Sequence, residues 1–168
     1  ETMAEISANY AEIVHTSYTD SVTTAETLDA EVLAFLDAPS DANLTAAQDA
    51  WLDSREPYLQ TEVYRFYDGP IDNPDTGVEG LLNAWPLDES YIDYTVDNDS
   101  SGIINDTSVT IDAETLMSLN EQGGEENIAT GFHAIEYLLW GQDLSADSAG
   151  TRPFTDFVTD GSGTAANQ

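Results

Sequence analysis

Between Thr2 and Asp37 the apolar residues Ile6, Tyr10, Ile13, Val14, Val22, Ala25, Leu28, Val32 and Leu36 recur mostly at steps of three and four. That period marks one stripe of an amphipathic α-helix, whereas a strand would alternate at every second residue. Ala38-Pro39-Ser40-Asp41 ends the helix, because proline cannot continue it and the residue before proline avoids helical dihedrals. A chain that opens this way has to build the rest of its core around a long helix.

The remaining pattern is also helical. A second helix is predicted from Asn43 or Thr45 to about Phe66, kinked or restarted at Pro57. Asp68-Gly69-Pro70 and Asp72-Asn73-Pro74-Asp75 carry turn chemistry, and Val78 to Trp85 reads as a short helical segment stopped by Pro86. Residues 91 to 111 look like loop. Asp112 is placed to cap a helix through Asn120, and a last helix is expected from about Glu125 to Trp140 with Gly141 as its stop. No convincing strand run appears, so the fold class is all-α, a helical bundle with long irregular connections. One domain is expected over residues 1–159, followed by a linker-like tail over 160–168 that looks like a boundary toward a further unit.

Charge narrows the partners. Thirty-three acidic side chains face three arginines and no lysine, a formal net charge of -30. Such a chain repels nucleic acid and anionic membrane, which excludes both as partners. The acids are spread along the whole length, which fits a solvated surface better than a dedicated cation sink. The absence of cysteine removes disulfides, thiolate metal sites and a cysteine nucleophile. No apolar run is long enough for a membrane span, and no signal peptide is visible.

Two clusters carry chemistry. In Gly131-Phe132-His133-Ala134-Ile135-Glu136 an imidazole and a carboxylate stand three residues apart, on one helix face, where both can point at one metal ion. Gly131 would cost about 1 kcal/mol inside a helix relative to alanine, and close approach of another backbone or a ligand is a reason for that cost. Trp51, Arg55, Tyr58, Glu62 and Arg65 follow steps of four, three, four and three, with Phe66 beside them, so they share one inward stripe of the second helix. Buried arginines there need carboxylate partners. Arg55 and Arg65 are open between structural ion pairing and tuning or anion binding beside a metal. Glu62 is a candidate third metal ligand, and Trp51 and Tyr58 line the same stripe. His15, at the flank of the first helix, reads as a boundary residue.

Three separated segments carry a family resemblance: Trp51-Leu52-Asp53-Ser54-Arg55-Glu56-Pro57-Tyr58 with Glu62 and Arg65-Phe66; Ala84-Trp85-Pro86-Leu87-Asp88 with Ile92-Asp93-Tyr94; and Gly131 through Asp143, which contains a GxHxxE motif. In order and spacing they resemble the imelysin family, within it the iron-regulated protein A group. The resemblance implies an all-helical envelope protein of the periplasm or outer envelope, built from two related bundle halves with the site where they meet. On that view the chain is the first half, its signal peptide is absent from this sequence, and its partner is the C-terminal half, in cis or as a separate chain.

The resulting expectation is metal binding, probed first with iron and second with zinc, through His133, Glu136 and Glu62, with Arg55, Trp51, Tyr58 and Arg65 around them. A zinc metallopeptidase is the alternative, but no HExxH motif is present and Tyr137 stands where an HxxEH variant needs its second histidine. A third reading is a non-metal ligand-binding module that uses the aromatic and arginine groove.

Overall fold

A computed structural model describes residues 2–163. The long helix forms as expected: α1 spans Met3–Asp37, opened by a capping box in which the Thr2 side chain accepts from the Glu5 amide and Glu5 accepts from the Thr2 amide. Three residues later α2 spans Asp41–Gln60, capped by Ser40, whose hydroxyl accepts from the Asn43 amide. The short connection makes the two helices an antiparallel hairpin. Pro57 does not break α2. The helix runs on to Gln60 and then tightens into a 3-10 turn over Thr61–Tyr64.

Four shorter helices follow: α3 (Glu79–Asn83), α4 (Glu89–Ile92), α5 (Ala113–Leu119) and α6 (Gly131–Trp140). Asp112 caps α5 as its position suggests, accepting from the Thr115 amide at 2.8 Å. Among the described residues there is no sheet, only an isolated bridge between Thr95 and Asn98, so the fold is all-α. No described helix is long and apolar enough to cross a membrane. Residues 164–168 of the expected tail lie outside the described residues.

The core forms where α6 lies across the hairpin. Leu28 and Phe35 from α1, Leu44, Ala47, Ala50, Trp51 and Tyr58 from α2, and Phe132 and Leu139 from α6 make one buried cluster. Burial of each large apolar side chain contributes about 1.5–3 kcal/mol against the entropy of ordering it. Ile92, Ala134 and Tyr137 form a smaller cluster on the other side of α6.

Only the C-terminal part of the α1 stripe is used. Phe35 is 1% exposed while its neighbour Leu36 is 51% exposed, and Ile6, Tyr10, Ile13 and Val22 are all about half exposed. Leu36 and Val22 are turned off the side that faces α2, which Ser21, Thr24, Leu28 and Phe35 occupy, whereas for Ile6, Tyr10 and Ile13 the cause is length. With 35 residues against 20, α1 outruns α2 by about 22 Å at 1.5 Å per residue. The last hold on it is Tyr64, whose ring meets Tyr10 edge-on at 5.8 Å and Tyr18 at 6.4 Å.

The motif helix starts six residues later than the pattern suggests. Residues 121–130 are pinned instead by tertiary bonds. The Glu121 amide donates to Asn127 O, the Asp88 amide to Glu126 O, and the Ala129 amide to Asn120 Oδ1, while Ile128 is fully buried. Thr130 takes the N-cap position with its hydroxyl turned to Leu81 O at 2.9 Å. Gly131 is therefore the first helical residue, not an interior one, and its φ is +82°. A Cβ there would stand 2.4 Å from Leu82 O, so backbone of the α3 segment does approach it closely.

Candidate metal centre

The α2 face that looks at α6 is built from aromatic rings around one cation. Trp51 and Tyr58 are buried, and the Trp51 indole donates to Phe132 O at 2.9 Å, which ties α2 to the first turn of α6. The Arg55 guanidinium lies over the rings of Phe132, Tyr58 and Trp51 at 4.7, 5.6 and 5.7 Å and donates to Asn83 Oδ1 at 2.6 Å. Burial lowers its pKa, against the fields of Tyr58, Glu136 and Glu62. The arginine-bearing helix and the His/Glu helix thus share one electrostatic neighbourhood.

Across that neighbourhood His133 Nδ1 meets Glu136 Oε2 at 3.1 Å, one helical turn apart. The histidine side chain is 17% exposed and the glutamate 44%. Trp85 packs against the imidazole with ring centroids 5.4 Å apart, although the residue itself is 72% exposed. Trp140 meets Trp51 edge-on at 5.4 Å. A cavity of about 450 Å³ opens between these groups, lined by Trp51, Trp85, His133, Glu136, Trp140 and Asp143 among others.

Glu62 goes elsewhere. It pairs with Arg65 Nη2 at 3.1 Å, and Arg65 Nη1 in turn donates to Glu79 Oε1 at 2.9 Å, with the guanidinium 5.5 Å from the Tyr58 ring. Burial pulls the Arg65 pKa down, but Tyr58, Glu79 and Glu62 outweigh it and the net shift is upward. Phe66, expected beside the inward stripe, is 90% exposed. The reason is the 3-10 turn: at three residues per turn each step advances about 20° more than in an α-helix, so residues after Thr61 leave the stripe. Among the described residues no three His, Cys, Asp or Glu side chains gather in an arrangement able to hold a metal ion. Of the expected ligands, His133 and Glu136 stand together and Glu62 does not join them. His15 is exposed on α1.

One buried cluster escaped the sequence reading. Arg152, 3% exposed at its side chain, pairs with Asp93 Oδ2 at 2.5 Å and lies over the rings of Tyr94 and Tyr137 at 4.8 and 5.4 Å. Its Nε and Nη2 have no hydrogen-bond acceptor among the described residues, and the guanidinium lies over the two rings instead. Asp93 also accepts from Asn105 Nδ2 and from the Tyr94 amide, so both carboxylate oxygens are engaged. Tyr137, which holds the position of a second histidine in an HxxEH site, donates to Tyr94 O and belongs to this cluster. Asp88, by contrast, is a cap, accepting from the Ser90 amide. The available signal was scarcity: Arg152 is one of three basic residues in a strongly acidic chain.

Compared with known proteins, residues 14–168 match the family model described as Imelysin. The chain is 31% identical over 129 residues to a protein named Iron-regulated protein A from Synechococcus elongatus (strain ATCC 33912 / PCC 7942 / FACHB-805). That match covers 77% of this chain and 29% of the relative, so the chain spans well under half the length of the protein it resembles.

Proposed function

The chain belongs to the imelysin family, and from that premise we propose that it is a metal-binding protein of the cell envelope that handles iron through His133. The observation that carries the reading is the orientation of the imidazole. Glu136 holds Nδ1, no protein group among the described residues bonds Nε2, and the imidazole is one of the side chains that line the aromatic cavity. A carboxylate on the distal nitrogen fixes the tautomer and raises the basicity of the ligating one. Iron comes ahead of zinc on the relative's name alone, since imidazole suits both metals. Arg55 and its aromatic bed supply positive field beside Glu136 and hold α2 against α6.

Proteolysis is the weaker alternative. Zinc hydrolases commonly use three protein ligands and a separate base. Here Glu136 is committed to His133, and Tyr137 to the Tyr94 carbonyl. The uncovered part of α1, where Met3, Ile6, Tyr10 and Ile13 follow steps of three, four and three, favours a partner. We read it, together with exposed Val63 and Phe66, as the face that packs on a further helical unit of the kind the longer relative has room for.

The test uses the two histidines against each other. Purified protein in about 1 M salt, which cuts the screening length to about 3 Å, is titrated with iron(II) and zinc(II) while both imidazole resonances are followed. Saturable change at His133 ahead of His15, lost in His133→Ala, is expected even if affinity is low. Parallel response of both rings would reduce binding to surface acids and end the metal reading.

A further inference from the structure

We propose that the cavity beside His133 takes its metal already wrapped in a planar organic chelate with an open axial position, rather than as a bare ion; this rests on the metal reading above. Three observations that do not depend on one another lead there.

The first is the donor count. Nδ1 and Nε2 lie on opposite sides of an imidazole, so a metal on Nε2 is out of reach of the Glu136 oxygen held on Nδ1. Glu62 is paired with Arg65, and no group of three candidate ligands exists among the described residues. One nitrogen from the described residues is too few for a naked cation, since protein sites for transition metals use three or four donors, so the other positions are filled from outside these residues. It is a sufficient axial ligand for a metal whose equatorial positions are already filled.

The second is size and wall chemistry. A cavity of about 450 Å³ has room for roughly fifteen waters at about 30 Å³ each, far beyond one ion, and it falls within the roughly 300–1,000 Å³ typical of organic ligands. Its walls are Trp51, Trp85, Leu87 and Trp140. Trp85 keeps a large indole face in solvent directly against the imidazole, a ready stacking surface for a flat π-system bound axially through His133.

The third is charge. Glu89, Glu136 and Asp143 line the cavity, and His133 apart there is no basic side chain among its lining residues. An anionic chelate would meet repulsion from these groups and from the chain as a whole, so the ligand is neutral or cationic.

The probe is iron(III) salen, a planar tetradentate monocation with aromatic arms and free axial positions, compared with metal-free salen and with iron(II) alone in about 1 M salt. Tryptophan quenching reads the stacking, and the charge-transfer band of the complex reads axial nitrogen ligation. The expected result is one equivalent bound at least about tenfold more tightly than iron(II), with a shifted band. His133→Gln, checked for folding by circular dichroism, should lose the shift, and Trp85→Ala should weaken binding several-fold while keeping it. The band shift in the unaltered protein stands as a readout even if a variant misfolds. Iron(II) binding His133 as tightly as the chelate would leave the metal reading intact and overturn this inference. No chelate binding, or Trp85→Ala binding as well as the unaltered protein, would also overturn it. Metal-free salen binding equally well without any need for His133 would overturn this inference, while the metal reading stands or falls on the response of His133 to iron(II).

Discussion

Replacing Gly131 with alanine reverses sign according to where the residue sits. In a helix interior the change would stabilise by about 1 kcal/mol through propensity alone. At its actual position, with φ at +82°, the new Cβ incurs the left-handed penalty of about 1–2 kcal/mol. It also lands 2.4 Å from Leu82 O, 2.6 Å from Leu82 C and 2.8 Å from Leu81 O, all backbone atoms that no rotamer change can move aside. Relieving such overlap by shifting packed segments costs about 1–3 kcal/mol more. The net loss is about 1–4 kcal/mol after allowing for propensity, which in a domain of this length lowers Tm by on the order of 10 °C. Denaturant and thermal melts in molar salt give the number. Because α3 leads into Asn83 and Trp85, which contact Arg55 and His133, the same variant should weaken the response of His133 to metal. A Tm that stays level or rises would refute the close approach of α3 to α6.

Other consequences are testable more briefly. Asp93→Asn should cost about 3–5 kcal/mol in denaturant unfolding, because it leaves the Arg152 charge buried without its counterion. The pair Asp93→Leu with Arg152→Met should recover most of that loss, and a double variant no better than the single would show that the pair is not what the region depends on. Tyr94 and Tyr137 are both pushed up to about 12, chiefly by burial, with the Tyr94 bond to Asp156 adding to the first. Their neutral forms are therefore favoured by folding, so the contribution is intact below pH 10 and fades as pH rises toward 12. Denaturation midpoints measured through that window should fall, less steeply for Tyr94→Phe, and a flat profile would contradict the burial of these rings.

Much of this was open to view in the residues alone, and what was hidden has definite causes. The α2 stripe from Trp51 to Tyr58 and the pairing of His133 with Glu136 follow from helical spacing, which the local sequence controls. The start of α6 did not, since Glu125 to Thr130 are held by bonds to Asp88, Asn120 and Leu81, far away in the chain. Glu62 was misplaced because spacing assumes 3.6 residues per turn and the backbone tightens at Thr61. Half of α1 stays uncovered because periodicity says which face is apolar without saying how far the neighbouring helix extends. Asp93 and Arg152 lie 59 residues apart, and no local rule links them.

The three arginines also determine how the folded chain meets a protease. Trypsin needs a basic side chain reaching into its specificity pocket on a segment that can be drawn out straight. Arg55 is laid across aromatic rings in mid-helix, Arg65 is clasped by two glutamates, and Arg152 is both enclosed and followed by Pro153. With no lysine anywhere, every scissile bond of that type is locked behind tertiary structure, so the native molecule should pass through tryptic digestion whole and be cut only after it unfolds.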